Sequence, residues 1–339
     1  MTEGSGDDGE ELTYADAGVD IEDSEAATAA LVGAVSEVAD TTEYAGIVDM
    51  GDRYLALATD GVGTKLLVAE ALGDYSTVGI DCIAMNVNDL VAAGVEPAAF
   101  VDYLAVDEPD ERREAELGEG LAAGAEEAGV ALVGGETAVM PEVVMDFDLA
   151  GTVAGLATDD DLLPGEAEAG DALVGFPSSG IHSNGLTLAR EAAHREGGFD
   201  EPFPGDGYDT VGEALLEPTR IYAYLRDALH EYGAHAAAHV TGGGWTNLER
   251  MGEYTYEVTD PLPVHDVFEF VQEAGNVSDE EMHRTFNMGT GFVVALDAED
   301  ADGLVGATDG EVIGRVAAAD GDGEDGGDGA SVEIRGLSL

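Results

Sequence analysis

Tyr54-Leu55-Ala56-Leu57-Ala58-Thr59-Asp60-Gly61-Val62-Gly63-Thr64-Lys65 organises the reading of this chain. An apolar run, strand-like over Tyr54–Thr59, ends in a glycine-rich turn, and Lys65–Leu72 has helical spacing. Such a strand–turn–helix exposes backbone N–H groups and the positive end of a helix dipole. Lys65 is the only lysine in 339 residues; the other eleven basic residues are arginines. A chain that avoids lysine and keeps one here points to a phosphate contact. The order of glycines and lysine is not the Walker pattern, which excludes a P-loop NTPase.

Outward from that stretch, the first half alternates helix-like and strand-like segments. Ile80–Ala93 and Glu111–Ala128 read as helices, and Ala98–Val106, Val130–Val133 and Phe147–Leu156 as strands. Thr158–Asp171, rich in Asp, Glu, Gly and Pro, reads as a break. Helices are then expected at Leu186–Arg195, Ile221–Tyr232, Val264–Ala274 and Asp279–Arg284. Strands are expected at Ala172–Phe176, Ala236–Val240, Gly291–Leu296, Glu311–Val316 and Ser331–Arg335. The pattern is α/β or α+β in two halves, without a solenoid repeat. An acidic tail (1–11), an N-terminal domain (12–163) and a C-terminal domain (164–339) are expected.

The 73 acidic and 12 basic residues give a formal net charge of −61 and a pI of about 4.1. Self-repulsion of this size destabilises a folded chain in dilute buffer and is screened in concentrated salt. With 45% apolar residues the chain is not of the disordered acidic type. The acid excess reads as a solvated surface suited to high salt. No basic patch is present to meet nucleic acid or an anionic membrane. The lone Cys82 reads as a packed thiol, no apolar run is long enough to span a membrane, and no secretory signal is visible. A soluble cytoplasmic protein is expected.

Some pattern matches carry nothing. Gly4-Ser5-Gly6-Asp7-Asp8-Gly9 has no strand before it. Asp320–Gly329 resembles a calcium loop in composition only. His230, His235 and His239 have metal-like separations, but Gly233 and the strand-like Ala236–Val240 break any common helical face, so a zinc site is not expected.

Four constellations remain. The first is Asp60–Lys65. The second is Asn86-Val87-Asn88-Asp89-Leu90, polar residues in an apolar helix, read alone as an exposed polar face. The third is Gly134-Gly135-Glu136-Thr137 at a strand end, a usual place for a ligand-binding carboxylate. Asp60, Asp89 and Glu136 would supply the oxygen ligands magnesium prefers, if the fold brings them together. The fourth pairs Ser178-Ser179-Gly180-Ile181-His182-Ser183-Asn184-Gly185 with His239-Val240-Thr241-Gly242-Gly243-Gly244. Histidine beside small hydroxyl and glycine residues suits an anion and a proton-transfer group.

With Glu217-Pro-Thr-Arg-Ile-Tyr222 and Arg284-Thr-Phe-Asn-Met-Gly-Thr-Gly-Phe292 added, the ordered motifs resemble the phosphoribosylformylglycinamidine cyclo-ligases from about Tyr14 to Arg315. The resemblance implies two α/β domains, a homodimer paired through the N-terminal domains, and ATP- and Mg²⁺-dependent closure of the imidazole ring. It implies nucleotide contacts from Asp60, Gly61, Gly63, Thr64, Lys65, Asn88, Asp89, Gly135, Glu136 and Thr137. Metal would be held by Asp60, Asp89 and Glu136. Ser179, His182, Ser183, Asn184, Thr241, Gly242 and Gly243 would surround the formylglycinamidine ribonucleotide, and His239, with His182 as alternate, would move the proton. Two departures stand out: the glycine-rich segment before Asp60 is reduced to Thr41–Asp52, and Val95 replaces an alanine. Selenophosphate synthetase and hydrogenase maturation factors would need cysteines that are absent here. Thiamine-phosphate kinase lacks the histidine-loop pairing in this form, and a silent nucleotide-binding scaffold would not need the intact polar set.

Overall fold

The computed structural model describes residues 12–14, 17–18, 30, 45–319 and 330–339. The expected acidic tail, Asp16, Asp20, the start of Thr41–Asp52 and the turn Asp320–Gly329 lie outside the described residues.

The first half contains β1 (Gly46–Asp49), β2 (Tyr54–Gly61), α1 (Leu66–Leu72), α2 (Val78–Ala92), β3 (Glu96–Val106), α3 (Glu111–Ala128), β4 (Ala131–Val139) and β5 (Phe147–Ala157). The strands form one sheet in the order β1-β2-β5-β3-β4. β3 and β4 are parallel and joined by α3, while the other neighbours are antiparallel. α2 packs on the inner face of β2, β5 and β3, and α3 packs on α2. The two helices approach closely because glycines face each other. A Cβ on Gly79 would lie 2.3 Å from the Leu121 backbone nitrogen. α3 is capped by Asp110, whose carboxylate accepts from the N–H groups of Arg112 and Arg113, while Glu114 reaches back to the Asp110 N–H.

The outer face of this sheet is bare. Leu57, Val101, Tyr103 and Leu156 stand on it with 39–43% exposure. Their register partners, such as Thr152 opposite Val101, share that face.

The second half contains β6 (Ala172–Pro177), α4 (Leu186–Arg195), α5 (Val211–Leu216), α6 (Arg226–Glu231), β7 (Ala236–His239), β8 (Tyr254–Val258), α7 (Asp266–Gly275), α8 (Asp279–Thr285), β9 (Thr290–Leu296), α9 (Ala301–Ala307), β10 (Glu311–Ala318), β11 (Ser331–Ile334) and β12 (Leu337–Ser338). Its sheet order is β12-β11-β8-β10-β6-β9-β7. β9 is buried at every position, as its unbroken apolar run requires. The two-sheet α/β architecture matches the expected fold class.

Several local expectations needed correction. Val130–Val133 is the start of a longer strand, β4, that carries the whole Gly-Gly-Glu-Thr motif. Ile221–Tyr232 is not one helix but a 3-10 turn, Ala223–Leu225, followed by α6. β1, α5, β8, α9, β12 and the 3-10 segment Gly244–Met251 were not anticipated.

Candidate active site

The polar residues of α2 are not an exposed face. Asn86 and Asn88 are fully buried, and each fastens a different part of the chain. The Asn86 amide oxygen accepts from the Asp60 N–H at 2.9 Å, and its amide nitrogen donates to the carbonyls of Asp60 and Cys82. The helix thus fixes the end of β2, where Asp60 stands. Asn88 does the same for the second half. Its oxygen accepts from the Tyr222 N–H at 2.8 Å, so its nitrogen must donate, to the Arg220 carbonyl at 2.9 Å and to His239 Nε2 at 3.3 Å.

That arrangement sets the tautomer of His239. With Nε2 accepting from Asn88, Nδ1 carries the proton and donates to Asp89 Oδ1 at 3.0 Å. The His239 ring is wholly buried, whereas the Asp89 side chain is 23% exposed. The expectation that His239 moves a substrate proton meets a ring whose contacts are all within the protein. Both of its nitrogens are engaged, and no lone pair is free. His239 orients the Asp89 carboxylate, as a histidine or carboxylate behind a metal ligand commonly does.

Asp60 opens on the same region. Burial among its neighbours raises its carboxyl pKa, the Gly61 N–H opposes that, and the nearby Asp89 charge adds to it. Asp60 and Asp89 are thus two carboxylates that feel each other. Register places a third beside them: Asp60 faces Gly151, Gly151 faces Asp102, and Asp102 faces Gly135. Asp102 was not anticipated, although an acid in the apolar run Ala98–Val106 was the available signal. Burial raises its pKa as well. Gly135 is what makes room for it: a Cβ there would lie 2.3 Å from Asp102 Oδ1.

Glu136 does not join this group. It lies beside Tyr103 on the outer face of the sheet, three strand spacings from β2. At about 4.8 Å per spacing this is roughly 14 Å, too far for one ion to bridge. Among the described residues Asp60, Asp89 and Glu136 do not form a preassembled cluster of metal ligands. Asp60 and Asp89 fit a hard cation, since a charge between them would relieve the repulsion that raises Asp60.

Lys65 does not present its ammonium to the open cleft. It is completely buried, donating to Asp81 Oδ1 at 2.9 Å and to the Glu217 carbonyl. Asp81, also fully buried, accepts at the same oxygen from the Thr219 N–H (2.7 Å), the Thr219 hydroxyl (2.5 Å) and the Ser183 hydroxyl (3.2 Å). A lysine in a glycine-rich turn points to phosphate only if it faces outward. Here the turn is followed by the 3-10 residues Gly63–Lys65, which rotate the side chain inward toward α2. Asp81 went unnoticed because it sits in an apolar helical run.

The loop Ser178–Gly185 closes over this pair. Ser179 donates to the Pro218 carbonyl at 2.5 Å. His182 holds a left-handed backbone (φ 68°) and is 3% exposed. Its Nε2 accepts from the N–H groups of Ser179 and Arg220. Burial above all, with the nearby Lys65 charge adding to it, holds its pKa well below the ordinary value, and with Nε2 accepting, the neutral ring carries its proton on Nδ1. In this arrangement the His182 lone pair at Nε2 faces the Ser179 and Arg220 N–H groups and Nδ1 carries the proton. Among the described residues buried His182 Nδ1 and Asn184 Oδ1 have no partner, which leaves the loop's inner side one donor, Nδ1–H, and one acceptor, Oδ1, for further hydrogen bonds. Thr241, Gly242 and Gly243 lie alongside, half-buried, with Gly242 against the Asn184 amide. Thr64 meets Thr187 at 3.0 Å, so the first motif touches α4, the helix that follows the Ser178–Gly185 loop. A cavity of about 210 Å³ beside this loop is lined by Ser179, Phe203, Asp206, Tyr208, His265 and Asp266.

His230 and His235 stand apart from this site, on the Gly94 carbonyl and on Asp171 respectively.

Residues 42–157 match the N-terminal domain, and residues 168–325 the C-terminal domain, of AIR synthase related proteins. The chain is 46% identical over 315 residues to a phosphoribosylformylglycinamidine cyclo-ligase of Methanosarcina acetivorans, covering 90% of this chain and 95% of that protein. It is 47% identical over 304 residues to the enzyme of that name from Pyrococcus furiosus, covering 86% and 90%. Among solved structures, thiamine monophosphate kinase from Aquifex aeolicus shares the fold (17% identity, TM-score 0.64, 95% of this chain and 99% of that one). With both domains matched in order and relatives near half identity along almost the whole chain, the protein belongs to the phosphoribosylformylglycinamidine cyclo-ligase family.

Proposed function

We propose that the chain catalyses ATP-dependent cyclisation of formylglycinamidine ribonucleotide to 5-aminoimidazole ribonucleotide. The formyl oxygen attacks the γ-phosphorus of ATP and ADP leaves. The amidine nitrogen then attacks the activated carbon, closing the ring; the C–O bond breaks, phosphate departs and the nitrogen loses its proton. The observation that carries this reading is the chain of contacts from Tyr222 through Asn88 and His239 to Asp89, which joins both halves at one solvent-facing carboxylate.

Asp60 and Asp89 would hold Mg²⁺, which supplies charge neutralisation for the nucleotide phosphates. The N–H groups of Asp60, Gly61 and Val62 are engaged within the protein, so the turn would meet those phosphates through the N–H groups of Gly63 and Thr64. Asp60 and Asp102 are both shifted toward holding a proton; with Asp60 assigned to the cation, we assign Asp102 the proton lost from the attacking nitrogen. The acidic cavity beside Ser179 suits the cationic amidine end of the substrate, while His182 Nδ1 is a donor free for its anionic or carbonyl groups.

A second copy of the chain would cover the bare sheet face of Leu57, Val101, Tyr103 and Leu156, since exposed apolar patches of this kind are usually interfaces. Glu136 lies on that face, so any part it plays in the site depends on dimer formation. We further infer domains of 12–163 and 164–339, a cytoplasmic location and a requirement for high salt, the last resting on the net charge of −61.

The test is ADP release in concentrated KCl with formylglycinamidine ribonucleotide present or absent. Release only with the ribonucleotide supports the assignment; release with a thiamine phosphate acceptor instead would replace it.

A further inference from the structure

Remote from the proposed active site, three strand ends bring together Asp171, His235 and Asp297. Asp171 precedes β6, His235 precedes β7 and Asp297 follows β9, three neighbouring strands in the order β6-β9-β7. One ligand atom from each lies within 4.8 Å of the others. Among the described residues this is the one such trio of His, Cys or acidic groups.

The trio is rigidly built. Asp171 is 2% exposed; its carbonyl accepts from the Val316 N–H and its own N–H donates to the Glu168 carbonyl. Its Oδ2 accepts from the Glu168 N–H at 2.9 Å and meets His235 Nδ1 at 2.9 Å. Its other oxygen has no protein hydrogen bond among the described residues. His235 donates its N–H to the Ala295 carbonyl and receives one from Gly165 in the segment between the two halves. Asp297 is exposed and closes the open side. The negative charges of Asp171, Glu168 and Asp297 all act on the single His235 imidazole, opposing the effect of its burial.

We propose that Asp171, His235 and Asp297 form a binding site for one divalent transition cation of the Zn²⁺ class. One imidazole nitrogen and two carboxylate oxygens are a common donor set for such ions, with water completing the shell. Ligand atoms around a tetrahedral ion of this size sit about 3.4 Å apart, so the cation would replace the proton between His235 and Asp171 with a small opening of that contact. The Glu168 N–H keeps Asp171 oriented. The site lies at the start of β7, whose other end is His239, so occupancy would brace the strand that holds Asp89 in place.

Metal-stripped protein in chelator-treated concentrated KCl is titrated with Co²⁺ as the probe. The wild type should develop a d–d absorption band saturating at about one ion per chain, displaceable by Zn²⁺, together with a higher Tm. His235→Gln and Asp297→Asn should lose the band and the Tm rise. Asp297 is exposed, so its variant folds even if the histidine change does not. Equal Co²⁺ uptake and equal bands in wild type and Asp297→Asn, or no band in the wild type, would overturn the proposal and leave the trio as a proton-held ion pair.

Discussion

Two polar clusters hang from the same helix, α2, and they behave as opposites. Around Asp81 the contacts are buried and converge: Lys65, Ser183 and Thr219 donate to one oxygen, Oδ1, while buried Oδ2 has no partner among the described residues. Around Asp89 the contacts run in a line, from backbone through Asn88 and His239, and the last carboxylate meets solvent. A dry ion pair whose hydrogen bonds to the carboxylate all fall on one oxygen, Asp81 Oδ1, holds parts together. A carboxylate oriented from behind and open in front can take a ligand. The difference separates a fastening between the two halves from a reactive centre, although both are built from the most conspicuous motifs of the sequence.

The largest effect that would break this contrast belongs to Lys65. Lys65→Ala leaves Asp81 charged, buried and unpaired, and should lower unfolding free energy by about 3–5 kcal/mol. Denaturant unfolding at fixed high salt measures it. A folded variant with unchanged stability and lost ATP affinity would return Lys65 to the phosphate site.

His239→Gln should cost about 10–100-fold in kcat/KM or in Mg²⁺ requirement, the usual effect of removing a group behind a metal ligand. Steady-state kinetics against free Mg²⁺ distinguishes the two roles. If raising Mg²⁺ restores the rate, His239 positions Asp89; a rate that no Mg²⁺ concentration restores would make it the proton acceptor after all.

Gly135→Ala sharpens the role of Asp102. The new methyl must displace that carboxylate, so turnover should fall while the fold, with Gly135 on an exposed strand, stays within about 1 kcal/mol. Unchanged kcat would remove Asp102 from the chemistry.

The smallest effect is on pH. His182 has a depressed pKa in the folded protein, so its contribution to stability is complete above the unfolded value of about 6.5 and is lost as pH falls below it. Wild type should lose stability between about pH 6.5 and 5 more steeply than His182→Asn. Parallel curves for the two would show that His182 is not buried neutral.

The sequence made the strands, the longer helices and the motif blocks legible, because period and glycine-rich turns are local properties. It misled on Lys65, because nothing local tells whether a lysine after a turn points outward or into the protein. The polar face of α2 read as solvated because its partners, Tyr222, Arg220 and His239, come from more than 130 residues away. The role of His239 depends on which way the Asn88 amide points, and a backbone N–H in the other half decides that. Asp60, Asp89 and Glu136 read as one set, but pleat alternation puts Glu136 on the opposite face. α5 had a readable start, the Thr210–Glu213 capping box, but its six residues are too few to show a period.

The most direct test of the account is Asp89→Asn compared with wild type in concentrated KCl, measured as ADP release dependent on formylglycinamidine ribonucleotide and paired with thermal unfolding. The account predicts unfolding close to wild type with ADP release reduced by about 100-fold or more. Wild-type release from folded Asp89→Asn would contradict it.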